Sequence, residues 1–157
     1  MGFNGIRKYL PPIAITRQRM VLAVGANGVY LMQSGEVFED FKLSFNLSHE
    51  EIDGYPFNII FRRDGNNYEE LFWNTHDYMV GFQHYVDGSG QWVGYVEIPI
   101  SRQANEDLIE LIATGNNGIL KINGITSMNL PLVHSSGTIE LRAATPVTIE
   151  NLHIEEL

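Results

Sequence analysis

Five histidines, His49, His76, His84, His134 and His153, are the only nitrogen-donor metal ligands of the imidazole type in a chain without cysteine. A strand aims two imidazoles at one metal when they stand at i, i+2, and a helix when they stand at i, i+4. Neither spacing occurs, so no metal and no cofactor are expected. Asp64-Gly65-Asn66-Asn67-Tyr68-Glu69 and Asp87-Gly88-Ser89-Gly90 place oxygen donors on short loops, but without the spacing of a calcium loop. Both read better as hairpin turns, whose Gly and Asn tolerate positive φ. No Gly-x-Ser-x-Gly elbow, phosphate loop or dinucleotide fingerprint is present, which leaves nucleophilic, phosphoryl and hydride chemistry without support.

The elements that must position any site follow from composition and pattern. At 157 residues, 44% hydrophobic and 18% charged, the chain can bury one sizeable core. No apolar run reaches the roughly 18 to 20 residues needed to cross a bilayer. No charged start leads into an apolar stretch with a cleavage site, so neither membrane insertion nor a secretory leader is expected. In Phe41-Lys42-Leu43-Ser44-Phe45-Asn46-Leu47 the apolar residues fall on one face and the polar ones on the other, the mark of a half-buried strand. Comparable runs lie at 20–24, 28–32, 57–62, 68–73, 78–86, 91–98, 108–114, 119–123, 138–143 and 147–154, about eleven strands in all, separated by Gly- and Asn-rich turns. Residues 101–107 have room for a helical turn, and 107–114 could be argued as helix, but the neighbouring runs make strand more consistent. So many short strands need a second sheet to cover their apolar face. The expected fold is all-β: a two-sheet antiparallel jelly-roll sandwich over 20–157, preceded by an extended arm over 1–19.

The stretches Leu108 to Gly124, Gly137-Thr138-Ile139-Glu140-Leu141-Arg142 and Pro146 to Leu157 resemble the closing strands of concanavalin A-like lectin/glucanase sandwiches. Gly35 to Phe45 is similar to the strand that follows an early hairpin in the same fold, and together these segments cover 46 of the 157 residues. The texture is most similar to sandwich domains of the 3-keto-disaccharide hydrolase type, with galectins a looser comparison. The resemblance implies two sheets whose concave face often holds a sugar. It does not imply one activity, because that superfamily contains enzymes, lectins and structural domains.

Galectin-like sugar binding uses His, Asn and Arg on adjacent strands and a Trp on which the sugar stacks. The parts available here are Arg62, Trp73, Asn74, His84, Tyr85, Trp92, Tyr95 and Glu97. The His-x-Asn-Pro-Arg and Trp-Gly signatures are absent, so no galectin role is carried to any residue. Alternation also offers a plainer account of one stripe: Tyr78, Val80, Phe82, His84 and Val86 share a face and would fill a core. Glu51-Ile52-Asp53 is similar to the opening of the Glu-Ile-Asp-x-x-Glu strand of laminarinase-like glycosidases, but Pro56 stands where the second glutamate belongs, which leaves a charged loop. A hydrolase would have to draw on Glu97, Glu110 or His84.

The net charge of −9 is unevenly spread. Residues 1–19 contain Arg7, Lys8, Arg17 and Arg19 and no acid, while the remainder carries 6 basic and 19 acidic residues, −13 in all. Such a body repels phosphate, so no nucleic acid is expected. A basic arm holding Pro11 and Pro12 suits docking on an acidic neighbour, with Tyr9, Leu10, Ile13 and Ile15 adding apolar contacts. Arms of this kind are typical of proteins that assemble, virion and tail components included. The reading is a non-catalytic binding or structural module, held as a homo-oligomer or in a larger assembly through 1–19, with a glycan as a candidate ligand. The alternatives are a glycan-active hydrolase and a free-standing galectin-like lectin.

Overall fold

The computed structural model describes residues 16–21, 30–49, 56–74, 79–97, 106–143 and 147–157. Among them the regular structure is twelve strands: β1 (Thr16–Val21), β2 (Tyr30–Gln33), β3 (Phe41–His49), β4 (Pro56–Asp64), β5 (Asn67–Asn74), β6 (Met79–Val86), β7 (Ser89–Glu97), β8 (Glu106–Thr114), β9 (Asn117–Ile122), β10 (Ile125–Pro131), β11 (Thr138–Ala143) and β12 (Val147–Glu156). They form two six-stranded antiparallel sheets, ordered β1-β12-β3-β8-β9-β10 and β2-β11-β4-β5-β6-β7. Strands β4 to β7 pair consecutively as a meander, as do β8 to β10. At the β6–β7 turn Asp87 and Gly88 both take positive φ, 52° and 82°, the geometry of a hairpin whose twist matches its strands.

The alternation read on β3 is realised. Phe41, Leu43, Phe45 and Leu47 are buried, while Lys42, Ser44 and Asn46 are half-buried on the opposite face. The two sheets close on one another through aromatic edges. Phe45 meets Phe57 at 5.9 Å between ring centroids, and Phe41 meets Phe61 at 6.1 Å, each in a T-shaped pair. One cluster joins inward residues of both sheets. Burial of each such aromatic contributes about 1.5–3 kcal/mol, so this interdigitation is the main source of the sandwich's stability.

Two sequence expectations change. Strand β10 falls where no strand was expected, because Ile125-Thr126-Ser127-Met128-Asn129-Leu130-Pro131 carries little alternation and ends in proline. Such a sequence suits an edge strand, and β10 occupies a sheet edge, with a bulge between Thr126 and Met128. At the other end, β1 begins at Thr16 and pairs antiparallel with β12, setting Arg17 opposite Leu152 and Arg19 opposite Glu150. Residues 16–19, expected in the arm, are therefore part of the first sheet. The backbone groups along the outer edge of β12 need partners, and β1 supplies them. The remaining arm residues Arg7, Lys8, Tyr9, Leu10, Ile13 and Ile15 lie outside the described residues, as do Glu51-Ile52-Asp53 and most of 101–107.

Candidate functional site

Antiparallel register decides what shares a face, because residues directly opposite one another point the same way. Across the second sheet Glu140 stands opposite Gln33 and Ile60, Glu70 opposite Ile60 and Gln83, and Gln83 opposite Trp92. A neighbouring row sets Arg142 opposite Asn58, Asn58 opposite Phe72, Phe72 opposite Gly81, and Gly81 opposite Tyr95. A third pairs Tyr68 with Tyr85. These rows face away from the core and form the candidate site.

One end of this face is aromatic. Phe72 and Trp92 lie 5.4 Å apart and Trp92 and Tyr95 6.4 Å apart, with Trp92 55% and Tyr95 60% exposed. Gly81 makes this possible: a Cβ there would stand 2.2 Å from Phe72 Cζ, so the Phe72 ring lies across bare backbone. On the far side of the Glu70–Gln83 pair from Phe72, Tyr68 and Tyr85 stack at 4.5 Å, and the Arg63 guanidinium sits 5.3 Å from the Tyr68 ring centre. Burial, and then the nearby Glu70 and Tyr85, push the Tyr68 phenol above its ordinary value of 10, against the pull of Arg63 and Arg142.

The rest of the face is polar and ordered. Asn58 Nδ2 donates to Glu70 Oε2 at 3.1 Å, and Gln83 Nε2 donates to Glu70 Oε1 at 2.5 Å. Arg63 Nη1 donates to both oxygens of Glu140 at 3.0 Å, and Arg142 Nη2 donates to Glu140 Oε2 at 2.8 Å. Next to this ion cluster a cavity of about 610 Å³ opens, lined among others by Gln33, Ser34, Thr138 and Glu140. The face thus offers a stacking surface, amide and carboxylate groups at mid-sheet, and a polar recess, a combination suited to a polyhydroxylated ligand.

The sequence-derived site residues divide between the two faces. Tyr85, Trp92, Tyr95 and Glu97 lie on the outward rows, and Asn74 ends β5 opposite Met79. Trp73, His84 and Arg62 do not join them. Trp73 is buried against Phe57, 5.5 Å between rings, because its strand turns Leu71 and Trp73 inward and Phe72 outward. His84 is buried beside Phe82 and hydrogen-bonded through Nδ1 to Glu69 Oε1, so the stripe of Val80, Phe82 and His84 is core. The other Glu69 oxygen accepts the backbone N–H groups of Val133 and His134 at 3.1 and 3.0 Å, so this pair fastens the segment after β10 to the sheet.

Arg62, 1% exposed, takes a φ of 49° that turns its side chain into the end of the sandwich. There it donates to the carbonyls of Glu39, Gly115 and His134 and to Asp40 Oδ1. Burial lowers its pKa from the ordinary arginine value, while Asp40, Glu69 and Glu39 oppose that shift. Arg63 takes the outward position instead. Sequence reasoning also missed Asn58, Tyr68, Glu70, Phe72, Gln83, Glu140 and Arg142. The signal for Tyr68, Glu70 and Phe72 was the period of two that follows from an inward Trp73.

The three residues nominated for hydrolysis do not converge. Glu97 ends the edge strand β7, His84 is inside, and Glu110 is on the other sheet, 3.3 Å from Lys42 Nζ. Among the described residues no group of three His, Asp or Glu could hold a metal ion.

No protein-family model matches the chain, and no curated protein matches it in sequence. Solved structures do resemble it. The carbohydrate-binding module CBM66 from Bacillus subtilis superposes with a TM-score of 0.71 at 15% identity, over 93% of this chain and 100% of that one. Caenorhabditis elegans galectin LEC-6 gives 0.69 at 13% identity, over 89% and 97%. Bacillus licheniformis β-glucanase gives 0.61 at 13%, over 87% and 75%. With two antiparallel sheets in register and a shared inner core, the chain has the concanavalin A-like lectin/glucanase sandwich fold.

Proposed function

We propose that this chain is a non-catalytic glycan-binding domain and that the outward face of β2-β11-β4-β5-β6-β7 is its binding surface. The observation that carries the reading is the group of exposed Trp92 and Tyr95 with half-buried Phe72, beside the hydrogen-bonded set Asn58, Glu70 and Gln83. Sugars present an apolar C–H face and a rim of hydroxyls, and this surface offers a counterpart to each. Similarity to a carbohydrate-binding module and to a galectin supports it at the level of fold. The separation of Glu97, Glu110 and His84 weighs against the hydrolase alternative.

The test is a glycan array followed by calorimetry on the best binder. Trp92→Ala is expected to weaken binding at least about tenfold, since each stacked aromatic is a candidate hot spot. The exposed position should leave the unfolding midpoint within a few degrees of the parent. Undiminished binding in Trp92→Ala, or no binding to any glycan, would overturn the reading.

A further inference from the structure

We propose that the face selects uncharged sugar chains and rejects chains carrying a carboxylate or sulfate beside the stacked unit, an inference that rests on the glycan-binding reading above. The row from Gln33 through Glu140, Ile60, Glu70 and Gln83 to Trp92 crosses all six strands. At about 4.8 Å between strands, Glu70 is about 10 Å from Trp92 across the sheet. A sugar stacked on Trp92 therefore sets its neighbouring unit over Gln83 and Glu70. The carboxylate of Glu70, 8% exposed, is held in place by one amide hydrogen on each oxygen, and the remaining lone pairs of those oxygens are the acceptors a sugar hydroxyl would use. A hydroxyl can turn its hydrogen toward such a group. A carboxylate or sulfate has no hydrogen to offer and meets a like charge above a low-dielectric wall.

The cations that could offset this are Arg63 and Arg142, the two basic residues on the described part of the face. Both donate to Glu140, whose side chain is 4% exposed, so one buried anion organises the positive charge of the site. These two arginines with Glu140, Glu70 and Glu97 leave the face at a formal −1, on a chain of −9. Asp64 at the recess adds a further negative charge. An acidic sugar unit meeting Arg63 or Arg142 would have to share a guanidinium whose charge is already paired with buried Glu140, which leaves it little attraction to set against Glu70.

The experiment uses an array of neutral oligosaccharides paired with the same chains bearing one uronate, sulfate or sialyl group. The expected result is binding of neutral members at least about fivefold tighter than that of their charged partners at low salt, with the ratio shrinking toward 1 M salt as screening shortens. Glu70→Gln should narrow the ratio, and Glu140→Gln, which removes the negative charge that both guanidinium groups pair with, should narrow or invert it. Glu110→Gln, with the same change in net charge on the opposite sheet, should leave it unchanged.

Equal or tighter binding of charged chains by the parent protein would overturn the charge selection alone. So would a ratio unmoved by Glu70→Gln, or one moved equally by Glu110→Gln. No binding to any array member would overturn the glycan-binding reading and this inference with it.

Discussion

Trp73 and Trp92 stand two strands apart in one sheet and serve opposite purposes. Trp73 is 3% exposed and packs its edge against Phe57, whereas Trp92 is 55% exposed and leans on Phe72 and Tyr95. Both face aromatic neighbours at similar distances, so contact geometry does not separate them. The opposing sheet, β1-β12-β3-β8-β9-β10, does. It lies over Trp73 and leaves Trp92 open, which turns the same side chain from a core filler into a stacking surface. The neighbouring Arg62 and Arg63 repeat the contrast: one is a buried clamp on three backbone carbonyls, the other an outward partner of Glu140 and Tyr68.

That contrast can be broken by substitution. Trp73→Ala should cost about 3–5 kcal/mol of stability by urea unfolding, against under about 1 kcal/mol for Trp92→Ala. Similar losses at the two positions would mean that the faces are not divided as described. The two arginines should differ next. Arg62→Ala empties a fully buried position and removes the donor to the carbonyls of Glu39, Gly115 and His134, and should cost about 3 kcal/mol, whereas Arg63→Ala, on a partly exposed pair, should cost about 1 kcal/mol or less in the same assay.

A finer distinction concerns Gly81. Gly81→Ala must displace the Phe72 ring, whose far edge can swing outward, so the unfolding midpoint should shift by only a few degrees. The Trp92 fluorescence and glycan affinity should change more clearly, because Phe72 supports Trp92. The smallest effect belongs to Tyr68. Its phenol is raised above 10 in the folded chain, so its contribution to stability is complete below pH 10 and is lost as pH rises through the raised value. An ultraviolet titration should show a late-ionising tyrosine that Tyr68→Phe removes; an unchanged titration curve would place the perturbed phenol elsewhere.

Much of the strand pattern was legible because alternation and turn chemistry agree. Phe41 to Leu47 alternates cleanly, and Asp87-Gly88 supplies the two positive φ values of its turn. Strand β10 was not legible, since an edge strand needs little apolar patterning. The site was half legible. Tyr85, Trp92, Tyr95 and Glu97 reached the outward rows, yet the residues that order its polar part, Asn58, Glu70, Gln83 and Glu140, resemble any surface residues in sequence. Arg62 misled for a local reason: a left-handed residue near the end of β4 breaks the period of two, and Arg62 and Arg63 exchange the roles that simple alternation suggests.

The sequence by itself determined an all-β chain of short strands, the sandwich class, and a set of aromatic and polar residues concentrated on the run from β4 to β7. These are local properties, written in alternation, turn residues and charge. Only the tertiary structure decided which of two tryptophans is available, which of two adjacent arginines is buried, and that Glu140 gathers both outward guanidinium groups. Those outcomes depend on the position of the opposing sheet, on a single left-handed residue and on inter-strand register. Each is set by burying the whole apolar surface at once, and no window of the sequence contains that information.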